Sequence, residues 1–273
     1  MSTVTYDCAP GLVSIVMPSY NCDRYIASAI DSVLIQTYTN WELLICDDCS
    51  NDRTLEIIKE YSAKDGRITV ISNEKNSGAA VSRNRCIDLA RGEWIAFLDS
   101  DDMWFPQKLE VQLRNATRLG FDLSSTSYYE VDESGNTITS IVSPYSEAGY
   151  WKILFSGNPL GNSTVIFRAG KIGKYYAPQV EKRNDFALWL RIAKSGISAH
   201  GISEPLALYR VRRGSLSSRK WALLSYQWSL YRSVENLSFA ISVVAMGTWM
   251  VSKLFKLRKR ALNTPLKEVE VER

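Results

Sequence analysis

Short apolar runs and spaced apolar faces alternate along the first hundred residues. Val13-Ser14-Ile15-Val16-Met17 reads as a strand ended by Pro18, and Ile26, Ala29, Ile30, Val33 and Leu34 recur at helical spacing between Tyr25 and Thr37. Trp41 to Cys46 is a second strand. Thr54 to Tyr61 is a helix with Asp52 as N-cap, Ile68 to Ile71 a third strand, and Ser82 to Ala90 a helix stopped by Gly92. Trp94 to Leu98 is a fourth strand, too short and too aromatic for a helix. This order predicts an α/β chain with a mostly parallel, Rossmann-like sheet, right-handed crossovers and helices on both faces.

The pattern then becomes less regular. Phe121 to Val131 and Thr137 to Val142 read as strands joined by a turn at Asp132 to Asn136, followed by a short helix from Tyr150 to Phe155 and a strand from Ser163 to Phe167. Asn184-Asp185 opens a helix that runs from Phe186 to Lys194 and stops at Gly196. Near the C-terminus Phe239, Val243, Met246, Met250, Leu254 and Leu257 form one stripe, and Ser238, Ser242, Ala245, Trp249, Ser252 and Lys256 a more polar one. A spanning helix needs about 20 mainly apolar residues, and Lys253 and the serines interrupt this one. The expectation is an amphipathic helical extension on an anionic membrane surface, with Lys253, Lys256, Arg258, Lys259 and Arg260 over the lipid. The alternative is a helix packed on the catalytic body.

Composition narrows the class. The chain has 273 residues, 45% hydrophobic and 23% charged, enough for one large core with an appendage. A net charge of +4 gives no reason to expect nucleic acid. Five cysteines do not make a disulfide framework, and no apolar leader occupies Met1 to Gly11, so a cytoplasmic setting is expected. Cys46-Asp47-Asp48-Cys49 has CxxC spacing but no second cysteine pair, and the single histidine, His200, is remote, which disfavours zinc and histidine-based hydrolysis.

In a parallel sheet the strand C-termini share one rim, where ligands bind. Pro18-Ser19-Tyr20-Asn21, Asp47-Asp48 and Asp99-Ser100-Asp101-Asp102 all fall there. Carboxylates this close repel unless a cation intervenes, and hard oxygen donors suit Mg²⁺ or Mn²⁺ shared with phosphates. A solvated acidic turn would give the same local pattern, as would an Asx-turn at Asp48 and a surface ion pair at Arg83. Their convergence on one rim favours a nucleotide.

These segments, together with Ser82-Arg83-Asn84, resemble the successive motifs of family 2 glycosyltransferases, which have the GT-A fold. The resemblance runs from about Val13 to Ser217. It implies that Pro18, Tyr20, Asp48 and Arg83 hold a uridine moiety, that Asp99 and Ser100 sit near the ribose and diphosphate, and that Asp101, with Asp99 beside it, ligates Mn²⁺ or Mg²⁺. Cys49 stands where the family usually has glycine. Asn184-Asp185-Phe186-Ala187-Leu188-Trp189-Leu190 resembles a motif whose Asp is the general base, with Asn184 in place of Glu. Leu208-Tyr209-Arg210-Val211-Arg212 resembles the start of a motif in which Arg212 replaces a common His; Arg212 is then a candidate to neutralise diphosphate.

The implied layout is a catalytic domain over 1–217, with a nucleotide-sugar half over about 11–105 and an acceptor half over 106–217, and a helical tail over 218–273. The implied activity is inverting, metal-dependent transfer from a nucleotide sugar, a UDP-sugar being favoured, to a lipid-linked saccharide in surface-polysaccharide or O-antigen assembly. The protein would then lie peripherally on the inner face of the cell membrane. A nucleotidyltransferase would want a glycine-rich loop after the first strand, which is missing, and a non-catalytic binding module would not need Asp99, Asp101 and Asp185 together.

Overall fold

The structure, a computed structural model, describes residues 6–138, 141–158, 160–180, 182–212 and 220–262. In chain order the elements are β1 (Ala9–Ser19), α1 (Ile26–Leu34), β2 (Trp41–Asp47), α2 (Thr54–Lys64), β3 (Ile68–Ser72), α3 (Ala79–Leu89), β4 (Gly92–Phe97), β5 (Met103–Trp104) and α4 (Lys108–Leu119). There follow β6 (Leu123–Val131), β7 (Glu147–Ala148), α5 (Tyr150–Ser156), β8 (Ile166–Phe167), α6 (Ala169–Ile172), α7 (Asn184–Lys194), β9 (Ala199–Arg210), α8 (Lys220–Ser229) and α9 (Phe239–Leu262). One sheet runs in the order β3-β2-β1-β4-β8-β6-β9-β5, with β7 beside β9. The first four strands are parallel, as their order predicts, and β8 then runs antiparallel to both β4 and β6.

The central strands are buried on both faces, so successive residues serve two cores. Val16, Leu44, Ile95 and Phe97 pack on the α3, α5 and α7 side, while Ile15, Leu43, Ala96 and Leu98 pack under α1, α2 and α4. Trp189 of α7 meets Phe97 edge to face at 5.0 Å, which seats the helix carrying Asp185 on the end of β4. Lys108, at the start of α4, is wholly buried. Its Nζ lies 3.8 Å from the centre of the Trp104 ring and has no hydrogen bond among the described residues.

Several boundaries differ from expectation for identifiable reasons. β1 runs through Pro18 because Pro18 pairs only with Cys46 of β2, beyond the last β4 pair, Val16 with Phe97; its missing N–H breaks no ladder bond. Asp52 caps α2 one residue early, accepting from the Thr54 N–H. Gly92 does not stop α3 but opens β4, where a Cβ would come 2.6 Å from the Leu12 carbonyl oxygen of β1. Thr137 to Val142 forms only isolated bridges, Tyr128 with Val142 and Val131 with Thr137, and residues 139–140 lie outside those described. β9 has no clear period because its middle is exposed and Pro205 sits at a register shift against Ser127 of β6.

The tail has the packed arrangement given above as the alternative. α9 packs on the body, and it does so with the stripe of smaller and more polar residues: Ser242, Ala245 and Trp249 are buried, while Phe239 (66%), Val243 (47%) and Met250 (44%) of the apolar stripe are exposed. Trp249 lies against Gly157 at the end of α5 and Met246 is partly buried on the core, whereas Phe239, Val243 and Met250 point outward. The basic side chains from Lys253 to Arg260 and the segment Arg213 to Ser217 lie outside the described residues.

Candidate active site

The three carboxylates after β4 have three different fates. Asp102 turns inward, accepting from the Arg210 N–H at 2.8 Å and the Ser163 hydroxyl at 2.5 Å; burial pushes its carboxyl well above the usual range, with Asp101 and Asp99 adding repulsion. It ties the β4 exit to the end of β9 and is unavailable at the rim. Asp99 accepts from Arg83 Nη2 at 3.2 Å and Asn162 Nδ2 at 2.7 Å. Although 30% of its side chain still reaches solvent, desolvation pushes its carboxyl up to about 6; Arg83 opposes, and the charges of Asp101 and Asp185 reinforce the rise. Asp101 is paired with Arg212, Nε to Oδ2 at 2.6 Å.

Just beyond β2, Asp48 is buried and accepts from Asn73 Nδ2 and from the N–H groups of Ser77 and Gly78 at 2.6–2.8 Å. It clamps the loop that opens α3, and one of a carboxylate's roughly four acceptor positions remains for a base edge. Tyr20 is exposed at the rim, Pro18 is buried beneath it, and Ser100 is buried beside Cys22. Arg83 is no surface ion pair. It is almost fully buried, and its second terminal nitrogen, Nη1, donates to Asn184 Oδ1. Cys49 holds the left-handed backbone (φ 62°) that glycine would adopt freely, and all five thiols are free. His200 stacks on Phe121 at 3.9 Å, away from the rim residues.

Asp185 lies in the first turn of α7, where free N–H groups favour a carboxylate. Its Oδ2 accepts from Asn158 Nδ2 at 2.9 Å. Asn158 and Asn162 therefore donate to Asp185 and Asp99, while the Ser163 hydroxyl donates to Asp102 and accepts from the Asp99 N–H. Nothing in the sequence reading singled out this loop between α5 and β8. Its signal was a cluster of short amides and a hydroxyl around Gly161, which reads as a turn. Arg210 was likewise missed: its Nε donates to the Asp101 carbonyl at 2.9 Å, and its guanidinium stacks 4.8 Å from the Tyr25 ring, near that of Arg212.

A divalent cation fits this donor set in a limited way. Asp101 keeps one carboxylate oxygen outside its ion pair and Asp99 lies beside it. Among the described residues no three or more Asp, Glu, His or Cys side chains are arranged so that they could hold a metal ion between them. Mg²⁺ and Mn²⁺ are often held by one or two carboxylates with phosphates and water completing the shell.

The comparisons with known proteins bear on the family and the fold. Residues 14–170 match the model described as Glycosyl transferase family 2. The chain belongs to that family. A relative from Bacillus subtilis (strain 168), TuaG, named for teichuronic acid biosynthesis, is 39% identical over 228 residues, 84% of this chain and 90% of its own. The Escherichia coli UDP-Glc:alpha-D-GlcNAc-diphosphoundecaprenol beta-1,3-glucosyltransferase WfgD is 39% identical over 227 residues, 82% of this chain and 87% of its own. In fold, the glycosyltransferase is similar to S. aureus TarS 1-349 in complex with UDP-GlcNAc, with a TM-score of 0.66 at 21% identity, covering 93% of this chain and 76% of that one.

Proposed function

We propose that this glycosyltransferase moves a sugar, with inversion, from a UDP-sugar to a hydroxyl of a lipid-linked saccharide during surface-polysaccharide assembly. The observation that carries the reading is the bridge by which Arg83 spans Asp99 and Asn184, the residue beside Asp185, and so ties the start of α7 to the Asp99–Asp101 rim. A base and a diphosphate site so placed suit attack on one face of the anomeric carbon and departure from the other. The acceptor hydroxyl gives its proton to Asp185 as its oxygen bonds to that carbon, and the bond to the diphosphate oxygen breaks, releasing the nucleoside diphosphate. Arg83 and Arg212 supply positive charge toward the departing diphosphate. Mg²⁺ or Mn²⁺ held by Asp101, with Asp99 beside it, would neutralise further charge there.

UDP-Glc and an alpha-D-GlcNAc-diphosphoundecaprenol acceptor are the substrates in the name of the relative WfgD, and both chemistries suit this rim. No helix among the described residues is long and apolar enough to cross a membrane. The outward apolar face of α9 favours a peripheral position on the inner membrane face, where such an acceptor lies. The test is transfer from a panel of UDP-sugars to a polyprenyl-diphosphate saccharide, with the anomeric configuration of the product read by NMR. Asp185→Asn is expected to lower kcat about 10²–10⁴-fold with donor binding retained. A retained configuration, or a variant close to wild type, overturns the reading.

A further inference from the structure

We propose that Asn158 is the positioning residue for the Asp185 carboxylate and that α9 holds Asn158 in place through Trp249. The proposal rests on Asp185 being the general base. The Asn158 amide donates to Oδ2, and among the described residues no hydrogen bond reaches Oδ1. One oxygen is thus fixed and the other is left for the proton it must take. A carboxylate on the first turn of a helix otherwise rotates about its side-chain bonds, and a small misplacement of a base is expensive in rate.

The second half of the amide points to a ligand. Asn158 Oδ1 is buried and has no hydrogen-bond partner among the described residues. An unpaired buried carbonyl oxygen is costly, and a hydroxyl of the acceptor saccharide would satisfy it. Asn158 would then hold base and acceptor in one frame.

The corner that carries this amide is built for close approach. Gly157 and Asn158 both have positive φ, 66° and 31°, and Asn is among the few side-chain-bearing residues that tolerate this region. A Cβ at Gly157 would stand 2.2 Å from Trp249 Cδ1, so the indole of α9 lies directly on the corner. The same indole lies 5.3 Å from the guanidinium of Arg183, the residue before α7, which is itself in the left-handed region at φ 61°. One side chain of α9 therefore supports both segments, the one bearing Asn158 and the one bearing Asp185.

The experiment uses the full chain and compares wild type, Asn158→Gly, Asp185→Asn and the double variant in steady-state transfer, with melting curves as a check on folding. Glycine keeps the backbone conformation and removes only the amide; Asn158→Asp, which keeps the shape but cannot donate, is the second variant. Either change is expected to lower kcat about 10- to 100-fold with the donor KM within about threefold. In the Asp185→Asn background Asn158→Gly is expected to lower kcat no further, because no base remains to be oriented, and to show only as a rise in the acceptor KM. Losses that multiply in the double variant, or that fall on donor KM, overturn the role of Asn158. Near-normal activity of Asp185→Asn alone instead refutes the reading of the base. Trp249→Leu is expected to reproduce the kcat loss in a folded protein, and full kcat there removes α9 from the proposal.

Discussion

Arg83 of α3 and Asn184 of α7, 101 residues apart, share a hydrogen bond from Nη1 to Oδ1, while the same guanidinium reaches Asp99 at 3.2 Å. The residue next to Asp185 and the first carboxylate of the rim are thus joined by one planar group. With Asn rather than Glu at 184, that cation faces one carboxylate at this junction instead of two. Arg83→Lys is expected to lower kcat/KM for the donor more than 10-fold, since an ammonium cannot span both partners as the fork does. Kinetics with the donor varied would check this, and a conservative outcome would mean the bridge is incidental.

Asp101→Asn keeps an oxygen near Arg212 but removes the charge a cation would use. Activity stimulated by Mn²⁺ is expected to fall at least 10-fold, with Mn²⁺ affinity in the presence of UDP falling in parallel, measured by titration calorimetry. Unchanged stimulation would move the metal, if one is used, to other ligands.

Burial pulls the Lys108 amine well below its ordinary 10.5. The unfolded chain therefore binds a proton that the folded chain resists, and stability falls as pH drops from about 10.5 toward the folded value. Lys108→Met is expected to stabilise the fold by about 1–3 kcal/mol near neutral pH by removing an amine without a hydrogen-bond partner. The advantage should shrink toward pH 10.5. Denaturant unfolding at two pH values checks both the gain and its sign, and a loss would mean the stack on Trp104 outweighs the burial cost.

At Cys49 the left-handed backbone costs a side-chain-bearing residue about 1–2 kcal/mol, partly offset by the extra freedom glycine gives the unfolded chain. Cys49→Gly is expected to raise stability by roughly 0.5–1 kcal/mol without altering donor KM. Thermal unfolding measures it.

The outward face of α9 gives the fifth prediction. Val244 and Met250 are 57% and 44% exposed and support no core contact, so Val244→Glu with Met250→Glu is expected to leave melting unchanged and weaken binding to anionic vesicles at least 10-fold. Truncation before Leu237, by contrast, is expected to cost stability as well, because it removes Ala245 and Trp249 from their packing. Vesicle binding that survives the double substitution would place the lipid contact elsewhere.

The parallel half of the fold was legible because β1 to β4 obey simple periods and the rim follows from their order. The roles at that rim were less legible. Asp99, Asp101 and Asp102 look alike in sequence and differ only in which way each turns. That depends on Ser163, Asn162, Arg210 and Arg212 from elements far along the chain. β9 escaped notice because an exposed strand with a proline at its register shift has neither alternation nor a run of apolar residues. The stripes of α9 were visible, but which of them faced inward goes with the seat of Trp249 against Gly157 at the end of α5, and no periodicity encodes that.

The loop between α5 and β8 makes the two halves of this enzyme poor candidates for exchange. A chimera joined after α4 would import a foreign set of short amides against native aspartates. It would disturb the rim at Asp99 and Asp102 while exchanging only the second half. Altering acceptor preference by grafting would call for moving this loop together with α7 and α9 as one block, and for accepting whatever Asp99 and Asp102 then require.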